Sequence, residues 1–174
     1  MATAVAATPE NSSAARTDSR AGKYLIFSLG QEEFGIKVTQ VREIIALLDI
    51  VSVPNTPPYI RGVINLRGGI IAVVDLRKKF GLARIEDTTQ TCIVVVDIGR
   101  ESGGSLRMGI VVDGVVEVLY ISQGDLRDTP DFGTGATTPF LVGMANTKGK
   151  IRLLLDIDRV LSTGEMERLE AVLQ

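Results

Sequence analysis

Residues 58–76 read PYIRGVINLRGGIIAVVDL, and residues 139–157 read PFLVGMANTKGKIRLLLDI. Aligned without a gap, the two stretches place the same residue types at the same positions. The identical pairs are Pro58/Pro139, Gly62/Gly143, Asn65/Asn146, Gly68/Gly149, Ile70/Ile151 and Asp75/Asp156, and Arg67/Lys148 is a similar pair. A repeat of this kind indicates two related folding units.

The sequence upstream of each stretch repeats as well. The matching pairs are Gly35/Gly109, Ile36/Ile110, Val38/Val112, Val41/Val115 and Glu43/Glu117. The offset is 74 residues here and 81 residues in the first alignment, so one insertion or deletion reconciles the two. The repeat therefore extends over most of the chain that follows the N-terminal segment.

Each repeated position predicts a local structure. A glycine inside a strand marks a bulge or a close backbone approach, which we expect at Gly62 and Gly143. Gly68 and Gly149 supply hairpin-turn geometry that other residues avoid. We expect Asp75 and Asp156 each to cap a short helical turn with their carboxylates.

Short apolar runs separated by turn signals predict a chain of hairpins. The predicted strands cover residues 24–29, 34–38, 60–66, 70–74, 91–98, 106–112, 115–121, 140–145 and 151–155. Helical segments are predicted after Thr39, where Val41, Ile44, Ile45 and Leu48 have helical spacing, and over 165–173. In such a helix Glu43 would point away from the apolar stripe.

The predicted fold class is mainly all-β, with two small, closed β-units that share an apolar core. Residues 1–22 are rich in Ala, Thr and Ser and are expected to be a disordered tail. Residues 23–174 form the folded part. We expect subdomain one at about 23–85 together with C-terminal elements, and subdomain two at about 90–155.

Composition excludes several kinds of chemistry. The chain of 174 residues has no histidine and a single cysteine, Cys92, so it has no histidine-dependent triad and no structural zinc site. Cys92 lies in an apolar run and is interpreted as a core thiol. The net charge of −2 predicts no nucleic-acid partner. We expect no cofactor and no metal.

No apolar stretch is long enough to span a bilayer, and the N-terminus lacks the pattern of a signal peptide. A cytoplasmic location is the resulting expectation. Arg67 is singled out by its place at a predicted hairpin tip, where its planar, multi-donor side chain suits a carboxylate on a partner. Ordinary solvated charge is the alternative interpretation of the same residue.

Several segments carry a resemblance to the CheW family. They read LIFSLG (25–30), EFGI (33–36), VREI (41–44), VPNTP (53–57), IRGVINLRG (60–68), IAVVDLR (71–77) and GIVVDGV (109–115). The likeness extends over about residues 23–161. One departure is Ala72, where many members have proline.

The resemblance implies two SH3-like five-stranded β-barrels around a shared core, together with short helices and a C-terminal helix. It also implies a non-catalytic adaptor that binds the regulatory domain of the histidine kinase CheA and the cytoplasmic hairpin tip of chemoreceptors. By that similarity, Val41, Ile44 and Arg67 face the receptor, and Glu43, Arg61 and Gly62 lie at or near the kinase contact. Ring assembly with the kinase at membrane receptor arrays follows from the same likeness.

Three alternatives remain open at this point. The chain could serve another receptor–kinase pathway, such as surface motility or pilus control. It could be an enzyme, which would require a deep polar pocket with perturbed carboxylates. It could be an oligonucleotide-binding barrel, which would require a basic face with exposed aromatic residues.

Overall fold

The computed structural model describes residues 19–83, 86–100, 103–129 and 139–173. The strands are β1 (Gly22–Leu29), β2 (Glu32–Lys37), β3 (Val41–Ala46), β4 (Ile60–Leu66), β5 (Gly69–Asp75), β6 (Cys92–Gly99), β7 (Ser105–Val112), β8 (Gly114–Ile121), β9 (Leu126–Arg127), β10 (Leu141–Thr147) and β11 (Lys150–Leu155). The helices are Leu76–Lys79 and Thr163–Leu173, with short 3-10 turns at Val38–Gln40, Gln123–Asp125 and Ile157–Arg159. The prediction of a mainly β fold is confirmed.

Most of the predicted N-terminal tail, residues 1–18, lies outside the described residues. The end of that segment is held by hydrogen bonds. The Tyr24 hydroxyl donates to the Arg20 carbonyl at 2.6 Å, and Lys37 Nζ donates to the Ser19 carbonyl at 2.5 Å. Strand β1 starts at Gly22, which the sequence analysis had assigned to the tail.

The strands form two barrel-like sheets. Among the described residues, sheet one has the order β8-β1-β2-β11-β10-β9, and sheet two has the order β3-β6-β7-β5-β4. An isolated bridge between Val51 and Val63 extends sheet two beyond β4, as β9 extends sheet one beyond β10. The expected five strands per unit therefore become six in sheet one because of the short β9.

The first hairpin of each repeat, β1–β2 in the first and β6–β7 in the second, joins the sheet that contains the last hairpin of the other repeat. Strand β2 pairs in parallel with β11, where Gly35 faces Leu154, and β7 pairs in parallel with β5, where Gly109 faces Val73. Each sheet therefore combines strands from both repeats. The expected division at residues 85–90 differs from this arrangement, because β6 and β7 complete the sheet of β3–β5 while β10 and β11 join β1 and β2.

The bulges fall where the repeated glycines predict them. The register shifts between Ile60 and Gly62 in the β4–β5 pair, and between Leu141 and Gly143 in the β10–β11 pair. Gly62 has a φ of 149°, and a Cβ there would lie 2.2 Å from the Val51 carbonyl oxygen. Only glycine allows β4 to pass that close to the neighbouring backbone.

The largest core lies between the sheets and takes apolar side chains from both. It includes buried Phe27, Leu29 and Ile36 of sheet one and buried Val94, Ile110 and Val112 of sheet two. Each such side chain contributes roughly 1.5–3 kcal/mol through removal of its surface from water. This shared core agrees with the expectation that neither unit buries enough apolar surface by itself.

The predicted helix after Thr39 is wrong. Thr39 lies in the 3-10 turn Val38–Gln40, and residues 41–46 form strand β3 paired with β6. Val41, Ile44 and Ile45 are β-branched, which favours an extended chain, and pairing with β6 supplies the hydrogen bonds. Burial then alternates along β3, so Glu43 is half-buried whereas Ile44 is exposed.

The predicted aspartate caps are confirmed. The Asp75 carboxylate accepts hydrogen bonds from the backbone N–H groups of Arg77 and Lys78, and the Asp156 carboxylate accepts one from Asp158. The C-terminal helix begins with a capping box, since Ser162 and Glu165 each accept a hydrogen bond from the other's backbone N–H.

Candidate functional site: the Arg67 hairpin tip

The β4–β5 hairpin presents Arg67 at its tip. Arg67 has a φ of 51° and Gly68 a φ of 85°, so both central residues of the turn are left-handed. Two-residue hairpin loops prefer this geometry because it matches the twist of the strands. The Gly68 N–H donates to Asn65 Oδ1 at 2.9 Å, which fixes the turn. The Arg67 side chain is 71% exposed at this preset position.

Glu43 of β3 meets Arg67 across the surface of sheet two. Both guanidinium Nη atoms of Arg67 donate to the Glu43 carboxylate, one of them over 2.7 Å to Oε2. The hydrogen bonds from Arg67 lower the pKa of Glu43, and the carboxylate raises the pKa of Arg67. The structure thus joins a residue expected on the receptor surface to one expected on the kinase surface.

The two apolar residues expected at the receptor surface differ in exposure. Ile44 is 46% exposed, whereas Val41 is partly buried and packs against the central core. A bulge between Val41 and Glu43 separates them in the register of β3 with β6. Ile70, beside the hairpin tip, is also exposed. The exposed apolar groups of this set are therefore Ile44, next to Glu43 in β3, and Ile70, next to the hairpin turn.

Arg61 lies at the other end of β4, about 20 Å from Arg67 at the usual rise per residue. Its guanidinium forms a two-pronged ion pair with Asp87, including a 3.2 Å contact from Nη1 to Oδ1. The hydrogen bonds from Arg61 lower the pKa of Asp87. Arg61 and Glu43, both expected at the kinase contact, thus have separate partners.

Gly62 is buried, and its lack of a side chain is a requirement of the backbone beside Val51. A substitution there would disturb the bulge of β4 before it reported on any partner. The glycines Gly68 and Gly149 occupy the hairpin turns with φ of 85° and 74°, in agreement with the turn role that the sequence predicts.

A second charged tip, which the sequence analysis did not identify as a site, lies on the β10–β11 hairpin. Lys148 Nζ pairs with Glu117 Oε1 at 2.9 Å. Nearby Arg152 is buried and donates to Glu33 Oε1 at 2.8 Å and to the Thr147 carbonyl at 2.6 Å. The repeat matches Arg67 with Lys148 and Glu43 with Glu117, and this pairing was the available sequence signal for the second tip.

A buried arginine at the junction of the repeats was also missed. Arg77 is 2% exposed and has carboxylate oxygens of Asp75 at 3.4 Å and Asp113 at 3.0 Å. Asp113 also accepts a hydrogen bond from the Gly30 N–H at 2.5 Å, in the turn between β1 and β2. No local pattern in the sequence predicts that residues so far apart in the chain would meet.

The C-terminal helix carries a carboxylate with a shifted pKa. Burial alone would raise the pKa of Glu165, but hydrogen bonds from Lys79 and the Ser162 N–H lower it to about 2. Burial and a hydrogen bond with Glu165 raise the pKa of Tyr59. Since a general acid or base works best with a pKa near the operating pH, Glu165 is suited to anchoring the helix.

Metal ligands and the single thiol are two further candidates for chemistry. In the parts of the chain that the structure describes, no three His, Cys, Asp or Glu residues are grouped so that they could hold a metal ion. Cys92 is partly buried, and burial raises the pKa of its thiol. Within the same residues, no helix has the length and apolarity to cross a membrane.

Comparison with known proteins gives one consistent family. The model of the CheW-like domain matches residues 23–165. The chemotaxis protein CheW of Klebsiella aerogenes is 36% identical over 150 residues, covering 86% of this chain and 87% of that protein. Protein FrzA of Myxococcus xanthus is 27% identical and covers 82% of this chain and 86% of its own.

A solved structure agrees with the same family. The crystal structure of the scaffolding protein TtCheW from Thermoanaerobacter tengcongensis superposes with a TM-score of 0.72 at 32% identity. The match covers 82% of this chain and 88% of that chain.

Proposed function

The chain belongs to the CheW-like family, and from this premise we propose that it is a non-catalytic adaptor that couples chemoreceptors to the histidine kinase CheA. The observation that carries the proposal is the Arg67–Glu43 pair at the hairpin tip. Ile44, which follows Glu43 in β3, and Ile70, close to the turn, are exposed apolar residues. The proposed location is the cytoplasm, at membrane receptor arrays. The absence of histidine from the sequence supports action by binding alone.

The receptor surface consists of Arg67, Ile44 and the accessible edge of Val41. A receptor tip is an amphipathic helical hairpin, and such helices place their apolar face on an apolar surface of the partner. Ile44 and Ile70 offer that surface, while Arg67 offers charge-assisted hydrogen bonds to a carboxylate at its rim. The charged contact sets orientation more than affinity.

The kinase surface includes Glu43, Arg61 and the β4 backbone at Gly62. A CheA regulatory domain of the same barrel type would present a comparable sheet edge to these residues. Two barrel units per chain allow contacts at both ends, and repeated head-to-tail contacts close into rings when the rotation permits. Receptor movements then reach the kinase through contacts whose strengths differ between signalling states.

A second pathway remains a candidate for the same adaptor. FrzA of Myxococcus xanthus belongs among the relatives, at lower identity than the Klebsiella protein. An adaptor in surface motility or pilus control would use the same surfaces with other receptors. Binding assays with receptors of each pathway would discriminate between these roles.

Arg67→Glu tests the receptor surface. The substitution places a carboxylate beside Glu43, and we expect it to weaken binding of a soluble receptor hairpin fragment about tenfold or more, since like charges repel and the Arg67 fork is lost. Titration calorimetry or a quantitative pull-down measures the effect. Lys148→Glu is the matched control, because Lys148 occupies the same position of the other hairpin with the same φ of 51°.

Two outcomes of these binding measurements would contradict the proposal. If Arg67→Glu and Lys148→Glu reduce receptor binding equally, the effect comes from net charge and the Arg67 tip is not the receptor surface. If Arg67→Glu binds the fragment as well as the unaltered protein does, the assignment of Arg67 is wrong. Circular dichroism of both variants establishes that they remain folded.

A further inference from the structure

Asp87 lies between two guanidinium groups. Its Oδ1 is 3.2 Å from Arg61 Nη1 and 3.6 Å from Arg77 Nη2, and its Oδ2 contacts Arg61 Nη2. Asp87 belongs to the connector between β5 and β6, which has no strand or helix over residues 86–88. The connector is therefore attached at this point by a side chain to the β4 residue expected at the kinase contact.

Arg77 retains carboxylate neighbours without Asp87. Asp75 and Asp113 lie at 3.4 Å and 3.0 Å from its guanidinium nitrogens, closer than Asp87 does, and both are more buried than Asp87. A buried guanidinium is costly only when its charge is uncompensated. If Asp87 moved away, the charge of Arg77 would still be balanced by the neighbouring carboxylates. The main change would be that Arg61 loses its contact with Asp87.

Arg61 and Asp87 are both accessible from solvent. The Arg61 side chain is 26% exposed and that of Asp87 is 34% exposed, so a partner can reach the pair. The two outer nitrogens of Arg61 already face Asp87 in the arrangement that a partner carboxylate would use. An incoming carboxylate and Asp87 cannot both take that position.

We infer that Asp87 is an internal competitor for Arg61, and that a carboxylate of the kinase regulatory domain binds Arg61 in its place. The inference rests on the proposed function, in which Arg61 contacts the kinase. Asp87 then reduces the affinity for the kinase and favours partners whose carboxylate matches the Arg61 fork well. A neutral residue at position 87 removes the competitor and leaves Arg61 available.

Affinity measurements with the isolated regulatory domain of CheA test the inference. Asp87→Asn and Asp87→Ala should each bind that domain about two- to fivefold more tightly, the range that corresponds to losing one partly exposed ion pair. Asp128→Asn is the matched control. It makes the same change in net charge at an exposed carboxylate that pairs with Arg20, so its affinity should be unchanged.

A double-variant cycle separates this inference from the function on which it rests. Arg61→Gln should weaken kinase binding, and adding Asp87→Asn to Arg61→Gln should have no further effect. If Arg61→Gln weakens binding but both Asp87 variants bind no more tightly than the unaltered protein, the competition is refuted and the kinase contact stands. If Arg61→Gln binds normally, the kinase role of Arg61 and the competition are refuted together.

Thermal unfolding of each variant keeps the result interpretable. Arg77 retains Asp75 and Asp113, so the Asp87 variants should unfold within a few degrees of the unaltered protein. Equal tightening by Asp128→Asn would assign the gain to long-range electrostatics and would also overturn the inference.

Discussion

The two hairpin tips share one backbone and differ in side-chain chemistry. Arg67 and Lys148 both have a φ of 51°, and each is followed by a left-handed glycine. At the base of each hairpin the same backbone bond recurs, from Asp75 N–H to the Tyr59 carbonyl at 2.7 Å and from Asp156 N–H to the Phe140 carbonyl at 2.8 Å. The repeat has thus kept the groups that determine the path of the chain.

The two tips differ in a buried residue of the strand that follows each turn. The repeat places Ile71 in the first hairpin where the second has Arg152. Ile71 is buried in an apolar cluster with Ile64 and Val73, whereas Arg152 is buried among polar and charged groups. Glu117 therefore lies between two cations, Lys148 and Arg152, while Glu43 has its direct ion pair with Arg67.

This difference has a consequence for binding. The hairpin that carries Arg67 has a buried apolar cluster, and the ion pair of Arg67 with Glu43 is a surface interaction of modest strength. A carboxylate of a partner can therefore replace Glu43 as the ion-pair partner of Arg67 at a small cost in free energy. Lys148 pairs with Glu117, which also lies 3.8 Å from the buried guanidinium of Arg152. Displacement of Glu117 would therefore disturb Arg152, whereas loss of the exposed Lys148 cation alone would cost little. We interpret the first tip as a recognition surface and the second as mainly structural.

The largest expected difference in stability between the two hairpins concerns the glycines at their bulges. Gly62→Ala should destabilise the protein by about 3–4 kcal/mol, because the Cβ collides with the Val51 carbonyl at a positive φ. Gly143→Ala should cost about 1 kcal/mol, since the nearest atom is the far end of the Arg20 side chain at 2.8 Å, and the Arg127 carbonyl is 3.0 Å away.

Urea unfolding of both variants measures these losses in the free energy of unfolding. Equal losses would mean that the two bulges are equivalent in spite of their different neighbours. A larger loss for Gly143→Ala would reverse the comparison and would show that the Arg127 backbone is the more rigid obstacle.

Arg152→Ile gives the second hairpin the residue of the first. We expect a loss of about 2–3 kcal/mol, because Glu33 and the Thr147 carbonyl lose the guanidinium that satisfies them in a partly buried setting. Denaturant unfolding measures the loss. Lys148→Gln, which removes an exposed cation from the same network, should change stability by less than about 1 kcal/mol.

A small effect of Arg152→Ile would mean that the second tip tolerates an apolar base as well as the first tip does. The double variant Glu33→Gln with Arg152→Ile distinguishes the causes. If an unpaired Glu33 accounts for the loss, the second substitution should restore part of the stability.

The sequence predicted the repeated features of the fold well, for identifiable physical reasons. The bulges, turns and caps depend on residue types with distinct backbone preferences, so Gly62, Gly149 and Asp156 could each be interpreted locally. The helix predicted after Thr39 was wrong because a short apolar run fits both a helix and a strand, and pairing with β6 decides between them.

The exchange of hairpins and the charge networks were not predictable in the same way. Parallel pairing of β2 with β11 joins residues about 120 positions apart, and nothing in either strand specifies its partner. The contacts of Asp87 with Arg61 and Arg77 likewise depend on the position of residues 86–88, which form no strand or helix. The pairing of Arg67 with Glu43 needed β3 as a strand, which the sequence analysis had assigned to a helix.

A smaller effect than that of Arg152→Ile is expected at the C-terminal helix, which packs against β5 of the first repeat and gives the two units a further difference. Glu165 accepts a hydrogen bond from Lys79 at 2.5 Å, and its pKa is lowered to about 2. A carboxylate with a lowered folded-state pKa stabilises the fold above its unfolded pKa, and that contribution is lost as the pH falls toward the folded value. The difference in unfolding free energy between the protein and Glu165→Gln should therefore be about 1–2 kcal/mol at neutral pH.

That difference should begin to shrink near pH 4.5 and approach zero near pH 2, since protonated Glu165 resembles the glutamine. Urea unfolding of both proteins at a series of pH values measures it, and the subtraction removes the acid sensitivity of Glu33, Asp87 and the other paired carboxylates. Glu167→Gln, at an exposed position of the same helix, makes the same change in net charge away from Lys79 and is the control for helix charge. If the difference in unfolding free energy stays constant from pH 7 to pH 2, the Lys79–Glu165 pair does not hold the helix against β5. The helix would then add no charge-dependent difference between the two units.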